Sequence, residues 1–347
     1  MQALDDVKYG IPVQMFAGNT LADIARGPEG NDKKLFFPID YDYPLNDSFS
    51  WDQTRNTALD LERMGYDALW FPDHFMLGHK SLEAWTTMTA ISVLTSKIKL
   101  GSFMLCNNYR NPALVAKMAS TLSIISSGRF ILGYGAGWYE PEYLAYGYPF
   151  PPAGQRIEMM SEALKIIRGV LDEDVFTFKG KYYNVTDAVN EPKSPTRVPI
   201  MIGGGGKRIL RTVAEFADTW DTGVDLTLEK YKEKVQYLKQ QLDKRGRKFQ
   251  DIFRSMHIHV LIAENEAQLA EKKKRILDFA NRVGGRVNFK PSPEFGFEID
   301  KILIGTPDKI REKIAGYANL GCQRFNLLFM DYPQYGSMEL FASTVMK

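Results

Sequence analysis

The chain has 347 residues, of which 44% are hydrophobic and 25% are charged, as is usual for a globular protein. Its 44 Lys and Arg nearly balance 42 Asp and Glu, and a formal net charge of +2 excludes a surface dedicated to nucleic acid or to anionic membranes. No apolar run reaches the roughly 18 residues of a membrane-spanning helix, and Asp5 and Asp6 stand where a secretion signal carries basic residues, so we expect a cytoplasmic protein. The two cysteines, Cys106 and Cys322, are too few for a disulfide framework.

Short apolar runs alternate with longer amphipathic stretches through the first half of the chain. The short runs predict strands, and stretches with an apolar period of about 3.6 residues predict helices. Strands are predicted at 8–16, 68–71, 98–105 and 130–134, and helices at 51–64, 82–95, 113–125 and 156–171. This order corresponds to four βα units.

The second half of the chain resumes the alternation after an irregular segment. Residues 178–183 predict a small β-turn-β excursion, and Pro192, Pro195 and Pro199 then exclude a helix. Further strands are predicted at 200–202, 219–222, 256–263 and 324–329, and helices at 208–217, 229–245, 267–280 and 307–320.

Eight strands joined by crossovers rather than by hairpins predict an α/β fold of the (β/α)8 TIM-barrel class. We expect one barrel domain over residues 1–347, with loop insertions at about 17–50 and 282–300 that form substrate walls. The active site of such a barrel lies at the carboxyl ends of its strands. Candidate functional residues are therefore those that directly follow a predicted strand.

A run of four glycines and two basic residues follows the fifth predicted strand and opens the next helix. It consists of Gly203, Gly204, Gly205, Gly206, Lys207 and Arg208. Backbone N–H groups in such a turn can approach an anion closely, and the helix dipole favours negative charge there. The run indicates a phosphate site, although a flexible strand-to-helix turn has the same composition. It lacks the Gly-Lys-Ser/Thr ending of a nucleotide-hydrolysing P-loop.

Asp73 and His74 directly follow the second predicted strand. An imidazole titrates near neutral pH, so His74 at the barrel mouth can exchange protons with a ligand or stack beside a planar one. The alternative is a histidine that only packs. We assign His74 the catalytic role because it stands beside an acid at a strand end.

Small and aromatic residues run off the fourth predicted strand. Gly137 allows close backbone approach, Trp138 and Tyr139 offer stacking surfaces, and Glu140 and Glu142 add carboxylates. The segment predicts either a ligand contact surface or a packed lid.

His257 and His259 lie two residues apart and therefore on one face of a strand, a spacing that suits metal ligands. A metal-dependent barrel hydrolase needs further His and Asp ligands at other strand ends, and only His74 stands at one. We interpret the two histidines as structural and predict no metal site.

Four segments together resemble the bacterial-luciferase-like flavin and deazaflavin oxidoreductases. They are 68–75 (ALWFPDHF), 109–112 (YRNP), 127–140 (SGRFILGYGAGWYE) and 199–206 (PIMIGGGG). The resemblance extends in order from about Tyr9 to Gly223. Within this superfamily the chain is most similar to members that use coenzyme F420, a 5-deazaflavin.

The resemblance implies a barrel that holds the cofactor ring in its mouth and the cofactor phosphate at 203–208. It places Asp73 and His74 along the ring, and it implies a non-prolyl cis peptide bond within 102–106. Cofactor contacts are further implied at Cys106, Asn107, Asn108, Gly137, Trp138 and Tyr139.

One position departs from the family pattern. The deazaflavin-dependent sugar-phosphate dehydrogenases carry a catalytic Glu directly after Gly-x-Gly, where this chain has Trp138. Neither their proton donor nor their substrate is therefore carried over, and whether Glu140 or Glu142 substitutes stays open.

These observations favour an oxidoreductase that transfers hydride between coenzyme F420 and an unidentified small organic substrate. One alternative is an FMN-dependent two-component monooxygenase, which would need a flavin reductase as partner. A non-catalytic flavin-binding barrel and a metal-dependent hydrolase are the alternatives from other classes. We also expect a homodimer, with no nucleic-acid or membrane partner.

Overall fold

The computed structural model describes residues 4, 6–12, 51–76, 82–283, 299–331 and 336–347, with the backbone alone at 277–283 and 299. The predicted insertion at 17–50 lies outside the described residues, as does most of the one at 282–300. None of the described helices is long and apolar enough to cross a membrane.

The described residues contain twelve strands and ten α-helices. The strands are β1 (Lys8–Pro12), β2 (Ala68–Phe71), β3 (Lys99–Ser102), β4 (Leu105–Cys106), β5 (Phe130–Gly135), β6 (Phe176–Lys179), β7 (Asn184–Ala188), β8 (Ile200–Gly203), β9 (Thr219–Val224), β10 (Phe253–Ile262), β11 (Leu303–Gly305) and β12 (Arg324–Phe329). The helices are α1 (Trp51–Met64), α2 (Ala84–Leu94), α3 (Pro112–Ile125), α4 (Glu140–Ala145), α5 (Ala153–Asp172), α6 (Lys207–Phe216), α7 (Leu228–Asp243), α8 (Glu266–Val283), α9 (Pro307–Asn319) and α10 (Gly336–Thr344).

Eight strands close into a parallel barrel, which confirms the predicted fold class. Their order around the barrel is β1, β2, β3, β5, β8, β9, β10, β12, and β12 pairs with β1 again. The closing pair of β9 and β10 aligns Thr219 with Phe253. Strands β6 and β7 form a separate antiparallel ribbon, as the β-turn-β pattern predicts.

Some strands and helices differ from their prediction. The strand predicted at 98–105 is divided into β3 and β4, and the break carries a cis peptide bond between Phe103 and Met104 that confirms the expectation from the resemblance. Strand β11 and helix α4 were not predicted, since each is too short to show a period. Strand β1 ends at Pro12, and the rest of the strand predicted at 8–16 lies outside the described residues.

Trp70 lies in the barrel lumen, where it is fully buried and donates from Nε1 to Asn326 Oδ1 at 2.6 Å. Glycines on the neighbouring strands leave room for the indole. A Cβ at Gly10 or at Gly101 would lie 2.4 Å from it. Phe103 packs above Trp70 with ring centroids 5.7 Å apart. The indole therefore separates the strand ends near Phe103 from the opposite end of the barrel.

Candidate active site

A cavity of about 430 Å³ lies at the carboxyl ends of β2, β5, β8 and β9, where a TIM barrel carries its active site. Eight residues predicted from the sequence line it: Asp73, His74, Cys106, Gly137, Trp138, Tyr139, Gly203 and Gly204. Its remaining lining includes Phe103, Met104, Tyr109, Arg156, Gly223 and His257. Residues from four separate motifs, each of which follows a strand, therefore lie together around one cavity.

His74 is held by the carboxylate of Glu142, which lies in α4 and is fully buried. His74 Nδ1 lies 3.0 Å from Glu142 Oε2, and the same oxygen accepts from Tyr109 Oη at 3.0 Å. The other oxygen, Oε1, accepts from the backbone N–H groups of Phe75 at 2.6 Å and Met76 at 2.9 Å. The carboxylate thus fixes both the imidazole and the backbone that follows it.

The Glu142 carboxyl is ionised at neutral pH despite its burial. Burial by itself raises its pKa, but the hydrogen bond and charge of His74 and the two backbone donors outweigh burial and lower the pKa below the ordinary value. A carboxylate that is ionised and fully buried is poorly suited to give a proton to a ligand in the cavity. Sequence reasoning left its role open, since nothing in the spacing shows that α4 turns back toward His74.

Asp73 forms a two-pronged ion pair with Arg110, a residue that sequence reasoning did not select. The Nη1–Oδ2 and Nη2–Oδ1 distances are 2.8 and 3.0 Å, and Oδ2 also accepts from the backbone N–H of Cys106 at 2.8 Å. Burial raises the pKa of Asp73, and Arg110 and the Cys106 N–H oppose that rise. Arg110 continues to Glu83 Oε1 at 2.7 Å. Asp73 therefore ties the end of β2 to the end of β4.

Cys106 and Gly137 lie next to each other in the cavity lining. The Cys106 thiol lies 2.8 Å from Tyr143 Oη, and burial raises the pKa of the thiol to about 12. Gly137 has a φ of +74°, and a Cβ there would lie 1.8 Å from Tyr143 Oη and 2.8 Å from Cys106 Sγ. Only glycine fits this position, and the thiol is a neutral packing group at physiological pH.

Asn107 and Asn108 lie behind the lining of the cavity. Asn107 is buried, accepts from Tyr134 Oη at 2.9 Å and donates to Asn108 Oδ1 at 2.8 Å and to Tyr183 Oη at 3.1 Å. These bonds brace the segment after β4 against β5, and the cofactor contacts of Asn107 and Asn108 stay a prediction.

Trp138 and Tyr139 form the outer rim of the cavity. The indole of Trp138 is 48% exposed, and its ring centroid lies 5.5 Å from that of His74 in an edge-on arrangement. Tyr139 lies 6.1 Å from His74 and 5.2 Å from Trp138. The imidazole is therefore enclosed on its outer side by two aromatic rings.

The glycine run forms the turn from β8 into α6. Gly204 has a φ of +118°, and its N–H donates to Asp221 O at 2.8 Å. The carbonyl of Gly205 accepts from Lys234 Nζ at 2.8 Å, which anchors the turn from outside, and Gly206 is the N-cap of α6 with no side-chain bond. The first N–H groups of α6 therefore receive no side-chain cap from Gly206.

The two basic residues of this run point in different directions. The Arg208 guanidinium lies over the first turn of α5, since a Cβ at Gly154 would be 2.5 Å from its Nη1. The Lys207 ammonium lies 5.9 Å from the Tyr237 ring, on the side of α7. Of the two, Arg208 is the one beside the residues of α5 that line the cavity.

Arg156 in α5 and His257 in β10 are lining residues that the sequence interpretation did not assign to the site. Arg156 lies 3.9 Å above the Phe150 ring, and its Nε is buried without a hydrogen-bond partner. From the sequence, His257 is interpreted as structural because too few metal ligands follow the other predicted strands. The structure pairs it with Asp221, which is 36 positions away in the chain. Within the described residues no group of three or more His, Cys, Asp or Glu is arranged to hold a metal ion.

The fold defines a (β/α)8-barrel protein with a cavity at the carboxyl ends of its strands. A family model described as luciferase-like monooxygenase matches residues 32–324. The chain belongs to this family, as the sequence motifs predict.

The curated and solved proteins similar to this chain include F420-dependent dehydrogenases and a monooxygenase. The F420-dependent glucose-6-phosphate dehydrogenase of Kineococcus radiotolerans is 30% identical over 238 residues, which cover 66% of this chain and 69% of that protein. A solved F420-dependent secondary alcohol dehydrogenase with an F420-acetone adduct is 20% identical, with a TM-score of 0.71 over 97% of this chain and 98% of the other. The EDTA monooxygenase of Chelativorans sp. BNC1 is 14% identical, with a TM-score of 0.75 over 98% of this chain and 92% of the other. These two solved structures show that the chain shares their fold.

Proposed function

We propose that this protein is an oxidoreductase that transfers hydride between coenzyme F420 and an unidentified small organic substrate. The observation that carries the proposal is the His74–Glu142 pair, which faces a glycine-lined cavity at the mouth of a luciferase-like barrel. Similarity to F420-dependent dehydrogenases favours the deazaflavin over other cofactors.

The residues present suit a flat cofactor that carries a phosphate. Gly137, Gly203, Gly204 and Gly223 line the cavity without side chains, so a ring system can lie close to the backbone. The uncapped start of α6 and the nearby guanidinium of Arg208 would hold the phosphate. When bound, coenzyme F420 accepts or gives a hydride at its deazaflavin ring.

His74 exchanges the proton that accompanies the hydride. For an alcohol substrate, His74 takes the hydroxyl proton as the carbon loses its hydride, and in the reverse direction it returns that proton. Glu142 remains a carboxylate and orients the imidazole through Nδ1. Trp138 and Tyr139 exclude water from the outer side of His74.

Titration of the purified protein with coenzyme F420 and with FMN, each followed by fluorescence quenching, tests the cofactor. We expect micromolar affinity for F420. Tight binding of FMN without binding of F420 would instead support an FMN-dependent monooxygenase. The similarity in fold to the EDTA monooxygenase is compatible with that alternative. Such an enzyme would need a flavin reductase as partner.

Replacement of His74 tests the proton-transfer role. In His74→Ala we expect F420 affinity to stay within a few-fold and turnover to fall roughly 100-fold, the usual contribution of acid–base catalysis. Turnover would be measured on alcohols and ketones found by screening with F420. Unchanged turnover would remove His74 from the mechanism, and F420 binding without turnover on any substrate would favour a non-catalytic barrel.

Helices α2 and α3 carry the surface that we assign to a homodimer. The two helices pack side by side and expose apolar side chains: Val93 (66%), Leu94 (43%), Leu114 (53%), Ile124 (37%) and Ile125 (42%). Such apolar exposure on neighbouring helices is typical of a subunit interface. Sedimentation should give a dimer for the wild type and a monomer for Val93→Glu/Leu114→Glu, and a dimer in both would place the interface elsewhere.

We also propose a cytoplasmic location, which fractionation of source cells would test.

A further inference from the structure

A second histidine held by a carboxylate faces the same cavity. His257 lies in β10, and its Nδ1 is 2.6 Å from Asp221 Oδ1 in the neighbouring strand β9. The imidazole lines the cavity and is 20% exposed, whereas Asp221 is fully buried. Strand β10 is three strands away from β2 around the barrel, so His257 and His74 reach the cavity from separate parts of the sheet.

Asp221 is fixed by neighbours in the barrel lumen. Its Oδ2 accepts from Ser255 Oγ at 2.8 Å and from Asn326 Nδ2 at 2.9 Å, and its Oδ1 also accepts from the N–H of Gly223 at 3.3 Å. Burial raises the pKa of Asp221, but the charge and hydrogen bond of His257 outweigh burial and keep the carboxyl ionised. His257 therefore presents Nδ1–H to a fixed anion.

The other ring nitrogen of His257, Nε2, makes no hydrogen bond within the part of the chain that the structure describes. Phe103 contacts the imidazole edge-on, with ring centroids 5.0 Å apart, and Phe103 in turn packs on the buried Trp70. His74 instead contacts Trp138, which is half exposed at the rim. His257 thus lies on the inner side of the cavity and His74 on its outer side.

We propose that His257 is a second proton-transfer residue, which gives the reduced deazaflavin its proton while His74 serves the substrate. This inference rests on the proposed function. When an alcohol is oxidised, its C–H bond breaks and the hydrogen passes with its electron pair to the deazaflavin, and the proton of its O–H bond passes to His74. Protonated His257 then gives one proton to a ring nitrogen, so that one hydride and one proton have been taken up. Both histidines return to their starting states by exchange with water.

Neither Trp138 nor Glu142 is suited to be this donor. Trp138 has no proton to give, and Glu142 is ionised and fully buried behind His74. His257 combines a titratable ring, a fixed partner and a place in the cavity lining. His259, two residues further along β10, has Nδ1 at 2.5 Å from Asp225 Oδ2 but does not line the cavity, so it provides a matched control.

The test compares the affinities of oxidised and reduced F420 by anaerobic calorimetry for the wild type, His257→Asn and His259→Asn. The Asn amide retains a donor for Asp221 and removes Nε2. We expect His257→Asn to weaken binding of reduced F420 by about tenfold, the effect of losing one hydrogen bond, and to weaken binding of oxidised F420 by less. His259→Asn should change neither affinity by more than about threefold.

Each outcome separates this inference from the proposed function. If the wild type binds neither form of F420, the proposed function and the role of His257 both fail. If the wild type binds both forms and His257→Asn changes the two affinities equally, or not at all, only the role of His257 is overturned. His257→Gln gives a second, independent variant, and thermal unfolding of the free proteins shows that each variant is folded.

Discussion

The two sides of the cavity are lined by different kinds of groups. On the side of β2 and α4, charged side chains pair with one another, as His74 does with Glu142 and Asp73 with Arg110. On the side of β8 and β9, the lining is largely glycine backbone at Gly203, Gly204 and Gly223. Charged pairs thus dominate the first side, and His257 with Asp221 is the corresponding pair at β10 and β9. The glycine backbone of the second side can accept a ligand without a side chain intervening. Substitutions on the two sides should therefore change different measured quantities.

The largest effect should follow the loss of the buried carboxylate on the charged side. Glu142→Leu leaves four donors without their acceptor, so we expect the free energy of unfolding to fall by about 3–5 kcal/mol. Urea unfolding measures this change. Glu173→Leu at an exposed position is the control and should alter stability by no more than about 0.5 kcal/mol. Equal effects of the two variants would show that the pairing around Glu142 is not structural.

Two glycines allow the stability cost of a left-handed backbone to be separated from the cost of a steric overlap near the cavity. Gly137 and Gly147 have φ values of +74° and +76°, but only at Gly137 would a Cβ meet other atoms. Gly147→Ala should cost about 1 kcal/mol for its left-handed conformation, and Gly137→Ala should cost a further 1–3 kcal/mol, approximately, from overlap with Tyr143. Thermal unfolding compares the two. If both variants lose the same stability, the contact with Tyr143 relaxes freely.

A second pair of glycines tests whether the backbone side binds the cofactor. Gly223 and Gly65 have φ values of +93° and +87°, and a Cβ at either meets no atom within 4 Å. Both Ala variants should lose about 1 kcal/mol of stability. Only Gly223 lines the cavity, so Gly223→Ala alone should weaken F420 binding, by about tenfold. Unchanged affinity in a folded Gly223→Ala protein would place the ring away from β9.

The smallest effect is a difference in pH dependence. The pKa of Glu142 is lowered in the folded protein, so its ionised form stabilises the fold above the unfolded pKa of about 4.5, and this contribution is lost as the pH falls through the folded value. The stability difference between the wild type and Glu142→Leu should therefore shrink in acid. Urea titrations between pH 7 and the acid limit would measure it, and a difference that grows in acid would contradict the assignment.

Sequence patterns predicted the barrel because its strands and helices differ in apolar period, a property that each segment carries by itself. They also located His74 and the glycine run, which directly follow strands. The partners of these residues were not predictable, because Glu142 lies 68 positions from His74 and Asp221 lies 36 positions from His257. Two histidines alternating along β10 looked alike in the sequence, although only His257 lines the cavity.

The indole of Trp70 gives the cavity a closed floor. It is fully buried below Phe103, and through Asn326 it is connected to Asp221. Within the described residues, the buried indole closes the cavity on the side opposite its mouth. We therefore expect the ligands to leave in a fixed order. A cofactor bound deep in the barrel can leave only after the product above it, so product release should precede exchange of the cofactor.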